Sequence, residues 1–171
     1  MKCKWVTVYA SSSDALVSEF YQFALNLARI LSQNGFNLVY GGSKVGIMGR
    51  IAQEMKKHGS QVVGIIPKRI HEKVPPLPEI DELIITNTMY ERKEQMALRG
   101  DAYICLPGGF GTLEEMLEII TQKQLQYHNK PIIICNYRNI FHHLFQQFDH
   151  LIQHHFAKPL TRQLYHIVDH P

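Results

Sequence analysis

The segment Leu106–Glu115 combines residues that can bind an anion with residues that can move a proton. Glycines at 108, 109 and 111 follow an apolar run, and a helical pattern starts at Thr112. Glycine tolerates positive φ and lets a ligand approach the backbone closely. The turn leaves N–H groups free at a helix N-terminus, where the helix dipole favours an anion. Because Glu114 and Glu115 follow on the first turn, the segment predicts a phosphate site with carboxylates beside it.

Glu115 also has a purely structural interpretation. A Thr followed three residues later by Glu forms a capping box, in which the Glu115 side chain would bond a backbone N–H group. In the functional interpretation, Glu115 is held beside the phosphate site and acts on the sugar attached to that phosphate. The two interpretations are compatible, because a contact at the helix terminus would help to orient the side chain.

An earlier glycine turn in the chain, Gly41-Gly42-Ser43-Lys44-Val45-Gly46, also follows a strand pattern. Its spacing differs from the dinucleotide fingerprint, and it lacks the Gly-Lys-[Ser/Thr] of a Walker motif. Tight packing of a strand against a helix is one explanation for it, and ligand contact is another. Because both turns follow predicted strands, we expect them to form one nucleotide pocket.

Arg92 and Lys93 lie in a run of four charged residues, 91–94, within a predicted helix. In one interpretation they belong to a solvated helix face, whose ion pairs contribute about 0.3–0.5 kcal/mol each. In the other, the apolar start of the helix at Thr88-Met89-Tyr90 is partly buried. A buried Arg92 would then need an anionic partner.

Strand and helix patterns alternate along the chain and predict a single Rossmann-like domain over residues 1–171, an α/β fold with a doubly wound parallel sheet flanked by helices. Asp14 is expected to cap the first helix, and the proline-rich segment 67–79 is expected to be an exposed loop. In such sheets ligands bind where the strand order reverses. The predicted strands are 3–10, 36–40, 61–66, 83–85, 102–106 and 131–136, and the predicted helices are 16–34, 46–57, 88–99, 112–127, 139–155 and 159–168.

Composition narrows the classes of partner and compartment. The 171 residues are 45% hydrophobic with a formal charge of +3. The chain has no long Lys/Arg run, so we do not expect a nucleic-acid partner. No apolar run approaches the roughly 18–20 residues of a membrane span. Three cysteines, Cys3, Cys105 and Cys135, lie far apart in strand-like runs. We expect buried, reduced thiols in a cytoplasmic protein.

The ten histidines raise the question of a metal site. His150 and His154 lie one helical turn apart, and His143 lies one heptad before His150. No Glu completes a His-Glu-x-x-His pattern and no Cys lies nearby, so we expect a polar helix face and no metal. The apolar stripe on the same helix forms either core or a dimer interface; it comprises Leu144, Phe148, Leu151 and Ile152.

Two longer motifs in this chain resemble the LONELY GUY (LOG) family of cytokinin riboside 5′-monophosphate phosphoribohydrolases, which are often labelled lysine decarboxylases. The first is Met-x-x-Arg-Lys-x-x-Met at Met89–Met96, and the second is Pro-Gly-Gly-x-Gly-Thr-x-x-Glu at Pro107–Glu115. Leu38–Gly49 resembles the first glycine turn of the family. The likeness covers nearly the whole chain, and the pair of motifs is more specific than either glycine turn alone.

The resemblance implies a Rossmann-like homodimer that hydrolyses the N-glycosidic bond of a nucleoside 5′-monophosphate, such as isopentenyladenosine monophosphate or AMP, to free base and ribose 5-phosphate. It implies no cofactor, and it makes Arg92 and Glu115 the catalytic pair. The helices at 112–127 and 140–152 could supply the dimer surface. The residues that it implies for substrate binding are Ser11, Ser12, Gly41, Gly42, Lys93, Gly108, Gly109, Phe110, Gly111, Thr112 and Glu114.

The chain departs from the family pattern at a few positions. Tyr9-Ala10 stands where Cys-Gly is usual, Ser43 follows Gly42 where a third glycine is common, and Thr121–Gln124 lacks a frequent Trp. These positions lie near the expected base or sugar pocket, so they bear on the preference for prenylated adenine more than on the reaction.

Three other functions remain as alternatives. The first is a nucleotide-binding carrier or sensor without hydrolysis. The second is a decarboxylase with pyridoxal phosphate on a lysine such as Lys44. The third is a structural or interaction protein, for which two glycine-rich turns would be superfluous.

Overall fold

The computed structural model describes residues 4–171 and contains one parallel sheet of seven strands in the order β4-β3-β2-β1-β5-β6-β7. The strands are β1 (Lys4–Tyr9), β2 (Phe36–Tyr40), β3 (Val62–Pro67), β4 (Glu82–Thr86), β5 (Ala102–Cys105), β6 (Ile132–Cys135) and β7 (His166–Val168). Six of these strands agree with the prediction, with small differences at their ends.

The helix predicted at 159–168 is wrong. These residues form a 3₁₀ turn at Pro159–Gln163 and then β7, in which Ile167 pairs with Ile134 of β6. A three-residue strand carries almost no periodic signal of its own. Its structure is decided by the free hydrogen-bonding edge of β6, which lies far away in the sequence.

Helices cover both faces of the sheet, as the doubly wound fold requires. They are α1 (Ser18–Gln33), α2 (Gly46–Lys57), α3 (Lys68–His71), α4 (Met89–Arg99), α5 (Phe110–Gln124) and α6 (His142–Gln153). Leu27 of α1 and Ile51 of α2 belong to the core on one face. Met96 of α4 and Met116 of α5 belong to the core on the other face, against which α6 also packs. The short helix α3 lies inside the segment predicted as a loop.

Neighbouring residues of the central strands point to opposite cores. Leu38 packs on the α1–α2 side, whereas Val39 packs on the α4–α5 side. All six residues of β3 are buried. Burial of both faces explains why these strands read as continuous apolar runs rather than as alternating patterns.

The strand order reverses beside β1. The chain builds outward from β1 to β4 and then crosses back to place β5 on the other side of β1. The Leu106 N–H donates to the Tyr9 carbonyl (2.8 Å), and the Ser11 N–H donates to the Pro107 carbonyl (3.2 Å). The loops after β1 and β5 therefore lie side by side at the point where doubly wound folds bind ligands.

Two of the three cysteines can be described. Cys105 and Cys135 are buried and free on adjacent strands, whereas Cys3 lies outside the described residues. Burial raises the pKa of the Cys135 thiol to about 12 and that of Cys105 well above its ordinary value.

The surface helix α6 carries the histidines that prompted the metal question. His143, His150 and His154 are exposed, and the rings of His150 and His154 lie 4.3 Å apart. Residues 4–171 contain no group of three or more side chains arranged to hold a metal ion. Leu144 packs against the core on the α4–α5 side, so this stretch of the apolar stripe belongs to the fold. Within the same residues, no helix is long and apolar enough to cross a bilayer.

Candidate active site

Arg92 and Glu115 form an ion pair at the carboxyl edge of the sheet. Thr88 caps α4, since its side chain accepts from the Glu91 N–H (3.1 Å). One turn later, the Arg92 guanidinium donates through Nη1 to Glu115 Oε1 and through Nε to the Ile65 carbonyl (3.4 Å). Both residues are only 7% exposed. The interpretation of Arg92 as part of a solvated face is therefore wrong, and the requirement for an anionic partner is confirmed.

Helix α5 begins earlier than predicted, and the capping-box interpretation of Glu115 is wrong. The N-cap is Gly109, whose carbonyl accepts from the Leu113 N–H (3.0 Å), so Thr112 already lies within the first turn. Because glycine has no side chain that could mark it as an N-cap, the sequence did not indicate that the helix begins after Gly109. Because of this shift, Glu115 lies beyond the first turn, and its carboxylate reaches Arg92 instead of the helix terminus.

The N-terminus of α5 is open to a ligand. No side chain within residues 4–171 caps it. A Cβ atom placed on Gly109 or Gly111 would have no described neighbour within 4 Å, and Phe110 between them is 93% exposed. The amides of the first turn are therefore accessible to an anion. Gly108 differs, since a Cβ there would collide with the side chain of Thr112.

A cleft of about 410 Å³ joins this terminus to the ion pair. It brings together eight of the predicted site residues, which are Ser11, Ser12, Arg92, Gly109, Phe110, Gly111, Thr112 and Glu115. It is also lined by five residues that were not among the predicted site residues, namely Ala10, Ser13, Met48, Ile70 and Met89. Met48 and Met89 lie within the segments that resemble the family, but Ile70 belongs to the segment predicted as an exposed loop and gave no signal.

The cleft environment sets the basicity of Glu115. Burial raises the pKa of the Glu115 carboxyl more than the positive charge of Arg92 lowers it, so its pKa lies above the ordinary value. A carboxylate with a raised pKa is a stronger base, which suits it to accept a proton from water.

Lys93 and Glu114 do not line the cleft. The Lys93 ammonium is paired with Glu114 and, at 3.0 Å, with Glu118, and it lies over the Tyr90 ring. Burial lowers the pKa of Lys93, but its bonds to these two carboxylates outweigh that effect and raise it. These pairs join α4 to α5. A substrate contact for Lys93 or Glu114 stays a prediction.

Gly41 and Gly42 lie behind the ion pair, outside the lining of the cleft. A Cβ on Gly41 would overlap the Arg92 guanidinium, and Gly42, with φ +77°, packs against Ile65 and Ile66. Gly108 borders a neighbouring apolar groove of about 290 Å³. Ligand contact by these three glycines also stays a prediction.

Asp14 caps a different helix from the one predicted. The N-cap of α1 is Val17, and the Asp14 carboxylate accepts instead from the N–H of Gly46, the first residue of α2 (2.9 Å). The turn that carries Asp14 lies beside the start of α2, because the Met48 N–H donates to the Ser11 carbonyl (3.3 Å). Local sequence could not show this contact across 32 residues.

Comparison with known sequences gives consistent matches over most of the chain. The sequence profile of the family described as "possible lysine decarboxylase" matches residues 48–171. The cytokinin riboside 5′-monophosphate phosphoribohydrolase LOG2 of Arabidopsis thaliana is 37% identical over 93% of this chain and 75% of the relative. The probable cytokinin riboside 5′-monophosphate phosphoribohydrolase LOGL1 of Oryza sativa subsp. japonica is 39% identical over 93% of this chain and 71% of the relative.

Solved structures share the architecture. The molybdenum cofactor binding protein of Rippkaea orientalis is 26% identical, with a TM-score of 0.72 over 100% of this chain and 92% of that one. The molybdenum cofactor carrier protein of Chlamydomonas reinhardtii superposes with a TM-score of 0.75 over 99% and 91% of the two chains at 18% identity, which establishes only the fold. On the sequence matches, the chain belongs to the LONELY GUY (LOG) family of cytokinin riboside 5′-monophosphate phosphoribohydrolases.

Proposed function

We propose that the protein hydrolyses the N-glycosidic bond of a nucleoside 5′-monophosphate to free base and ribose 5-phosphate, as the names of its relatives indicate for those enzymes. The observation that carries the proposal is the buried Arg92–Glu115 pair, which opens into the same cleft as the uncapped N-terminus of α5. A binding protein would need the anion site alone. The carboxylate beside it supports a reaction at the attached sugar.

The cleft suggests how the nucleotide is oriented. The 5′-phosphate binds the amides at the start of α5, with the Thr112 hydroxyl nearby. The ribose then lies towards Glu115. The base extends along the apolar side of the cleft, formed by Met48, Ile70 and Met89.

Glu115 carries the chemical step. The bond between C1′ and the base nitrogen breaks with its electron pair passing to the base, and positive charge develops on the ribose. The Glu115 carboxylate stabilises this charge and accepts a proton from the water whose oxygen bonds C1′. The departing base takes up a proton from solvent and Glu115 returns its proton to solvent, so the reaction consumes one water.

Arg92 supports this step from the side. Its guanidinium keeps the buried carboxylate ionised and oriented through their hydrogen bond. Since Arg92 also lines the cleft, it adds positive charge near the phosphate.

The direct test is incubation of the purified protein with AMP and, separately, with isopentenyladenosine monophosphate, followed by chromatography of free base and ribose 5-phosphate. We expect equal molar release of both products from at least one nucleotide, and the ratio of the two rates gives the base preference. Glu118→Gln, on α5 but outside the cleft, serves as a control that should retain the rate. Absence of product from both nucleotides would contradict the proposal.

A nucleotide carrier is the second candidate, because a solved structure at 26% identity is named a molybdenum cofactor binding protein. The same incubation separates the two functions. Binding of a nucleotide without release of base would favour the carrier.

The decarboxylase interpretation has little support in the cleft. Pyridoxal phosphate needs a lysine at the reacting centre to form its Schiff base. No lysine of residues 4–171 lines the cleft, and Lys44, within the glycine turn 41–46, is exposed.

We also propose a homodimer that forms through α4 and α5. Exposed apolar side chains gather on these helices and the turn after them, namely Tyr90, Leu98, Leu117, Leu125 and Tyr127. Tyr90, Leu98 and Tyr127 line a groove of about 670 Å³ between α4 and α5. Light scattering of the wild-type protein and of Leu98→Glu tests this assembly, with a monomeric variant expected.

The cytoplasm is the proposed compartment. The free, buried thiols of Cys105 and Cys135 fit a reducing environment. Fractionation of the source cells, with detection by antibody, checks the location.

A further inference from the structure

Gly41 follows β2 and lies beside the Arg92 guanidinium, close to Nη2, whereas Glu115 accepts from Nη1. A Cβ atom there would overlap Arg92 Nη2, and it would lie 3.6 Å from Arg92 Cζ and 2.9 Å from Met48 Sδ. Gly41 is not among the glycines with positive φ in the chain. Its backbone conformation is therefore open to any L residue, and only the surrounding space requires glycine.

The neighbours of Gly41 differ from those of Gly46 and Gly49, the packed glycines at the start of α2. A Cβ on Gly49 would overlap the backbone of Lys44, and one on Gly46 would overlap the backbone of Ser11 and Ser12. Backbone atoms held in a fold cannot move away cheaply. Around Gly41 the crowded atoms are ends of flexible side chains, so an added methyl group moves the Arg92 guanidinium and leaves the fold in place.

We propose that Gly41 is a positioning residue for the catalytic pair, because its missing side chain provides the space in which the Arg92 guanidinium lies while it bonds Glu115. The β3 carbonyl of Ile65 holds the same guanidinium through Nε (3.4 Å). Gly41 and Ile65 therefore both border the position of the guanidinium. This role rests on the proposed function, since it concerns the geometry of a catalytic pair.

A double-mutant cycle tests the role. Gly41→Ala is expected to lower kcat about 10²-fold in the wild-type background, because small misplacements of catalytic groups have effects of that size. In the Arg92→Ala background the same substitution should change kcat by less than about twofold, since the group on which it acts is gone. Melting temperature should hardly change in Gly41→Ala but should fall in Gly49→Ala, the matched packed glycine.

A second readout does not depend on hydrolysis. The Glu115 carboxyl can be titrated by ¹³C NMR in the wild type, Gly41→Ala and Arg92→Ala. Arg92 lowers the pKa of Glu115, so we expect Gly41→Ala to raise that pKa towards the value in Arg92→Ala.

Two results would overturn the inference. One is an equal loss of rate from Gly41→Ala in both backgrounds, which would mean that Gly41 acts on the ligand or the fold directly. The other is a Glu115 titration in Gly41→Ala identical to that of the wild type. If the wild type hydrolyses no nucleotide, the proposed function fails, and the titration alone decides the role of Gly41.

Discussion

The two glycine turns at the carboxyl edge of the sheet have similar sequences but opposite surroundings. At the start of α2, the Gly46 N–H is bound by the Asp14 carboxylate, and Cβ atoms on Gly46 or Gly49 would overlap neighbouring backbone. At the start of α5, no described side chain caps the helix, and Gly109 and Gly111 face open space. At the glycine turn before α2, the Asp14 carboxylate already binds a helix N–H group. At the glycine turn before α5, the N–H groups are free to bind an anion from solution.

This difference shows how a packing glycine can be told from a binding glycine. The space left by a missing side chain is filled by the protein itself in the first case and is open to solvent in the second. Both turns nevertheless contribute to one site, because the first turn packs against Arg92 while the second opens into the cleft.

The largest loss of turnover should come from changing Glu115, whose carboxylate lies in the cleft beside the start of α5. Glu115→Gln keeps the shape of the side chain but removes the charge that stabilises the ribose cation, so turnover should fall on the order of 10³-fold. Steady-state kinetics, with circular dichroism as a check of the fold, measures it. A variant that kept a rate near that of the wild type would remove Glu115 from the mechanism.

A carboxylate added to the glycine turn before α5 should make that turn resemble the one before α2, where Asp14 binds the helix N–H group. The site has room for Gly109→Asp, and the new side chain would bond the first-turn amides in place of the phosphate. We expect nucleotide affinity to fall about 10-fold to 100-fold while the stability of the fold is retained.

Gly109→Asn is the matched control for that variant, because it has the same shape and capping ability without the charge. Calorimetric titration with AMP compares the two. Equal affinities for AMP in the Asp and Asn variants would show that the phosphate does not bind at this turn.

The pH dependence should report the burial of the ion pair. In the proposed mechanism Glu115 acts in its ionised form, so kcat should fall about tenfold per pH unit below its pKa. Since that pKa is raised, the acid limb should lie above the ordinary glutamate value of about 4.3. A kcat profile that stays flat down to pH 4 would contradict the assignment.

The smallest expected effect is on stability and comes from Asp14, which binds the Gly46 N–H group at the start of α2. Asp14→Ala leaves the Gly46 N–H without its partner and should lower the free energy of unfolding by about 1 kcal/mol. Because Asp14 does not line the cleft, kcat/KM should stay close to that of the wild type. Urea denaturation followed by kinetics checks both, and Asp14→Asn, which keeps an acceptor oxygen, should lose less stability.

Hydrophobic periodicity and the positions of glycines predicted six of the strands along the chain, because both signals are local, and their alternation with helices predicted the parallel, doubly wound sheet. They failed where long-range contacts decide the structure. β7 forms only because β6 offers an edge, and Asp14 caps a helix 32 residues away.

The same limit applies to the site. The motifs indicated Arg92 and Glu115, but the sequence alone could not decide whether Arg92 was solvated. Its burial depends on Glu115, Ile65 and Gly41, which come from three other parts of the chain. Ile70 remained hidden because four residues of helix inside a proline-rich segment carry no periodic signal.

The central claim is that the nucleotide phosphate binds at the start of α5 and not at the start of α2. ¹H–¹⁵N spectra of the Glu115→Gln variant titrated with AMP test it directly, because binding can be followed without turnover. We predict that the amide signals of Gly109, Gly111 and Thr112 move most. Changes centred on Gly42 and Gly46, with residues 109–112 unmoved, would contradict it.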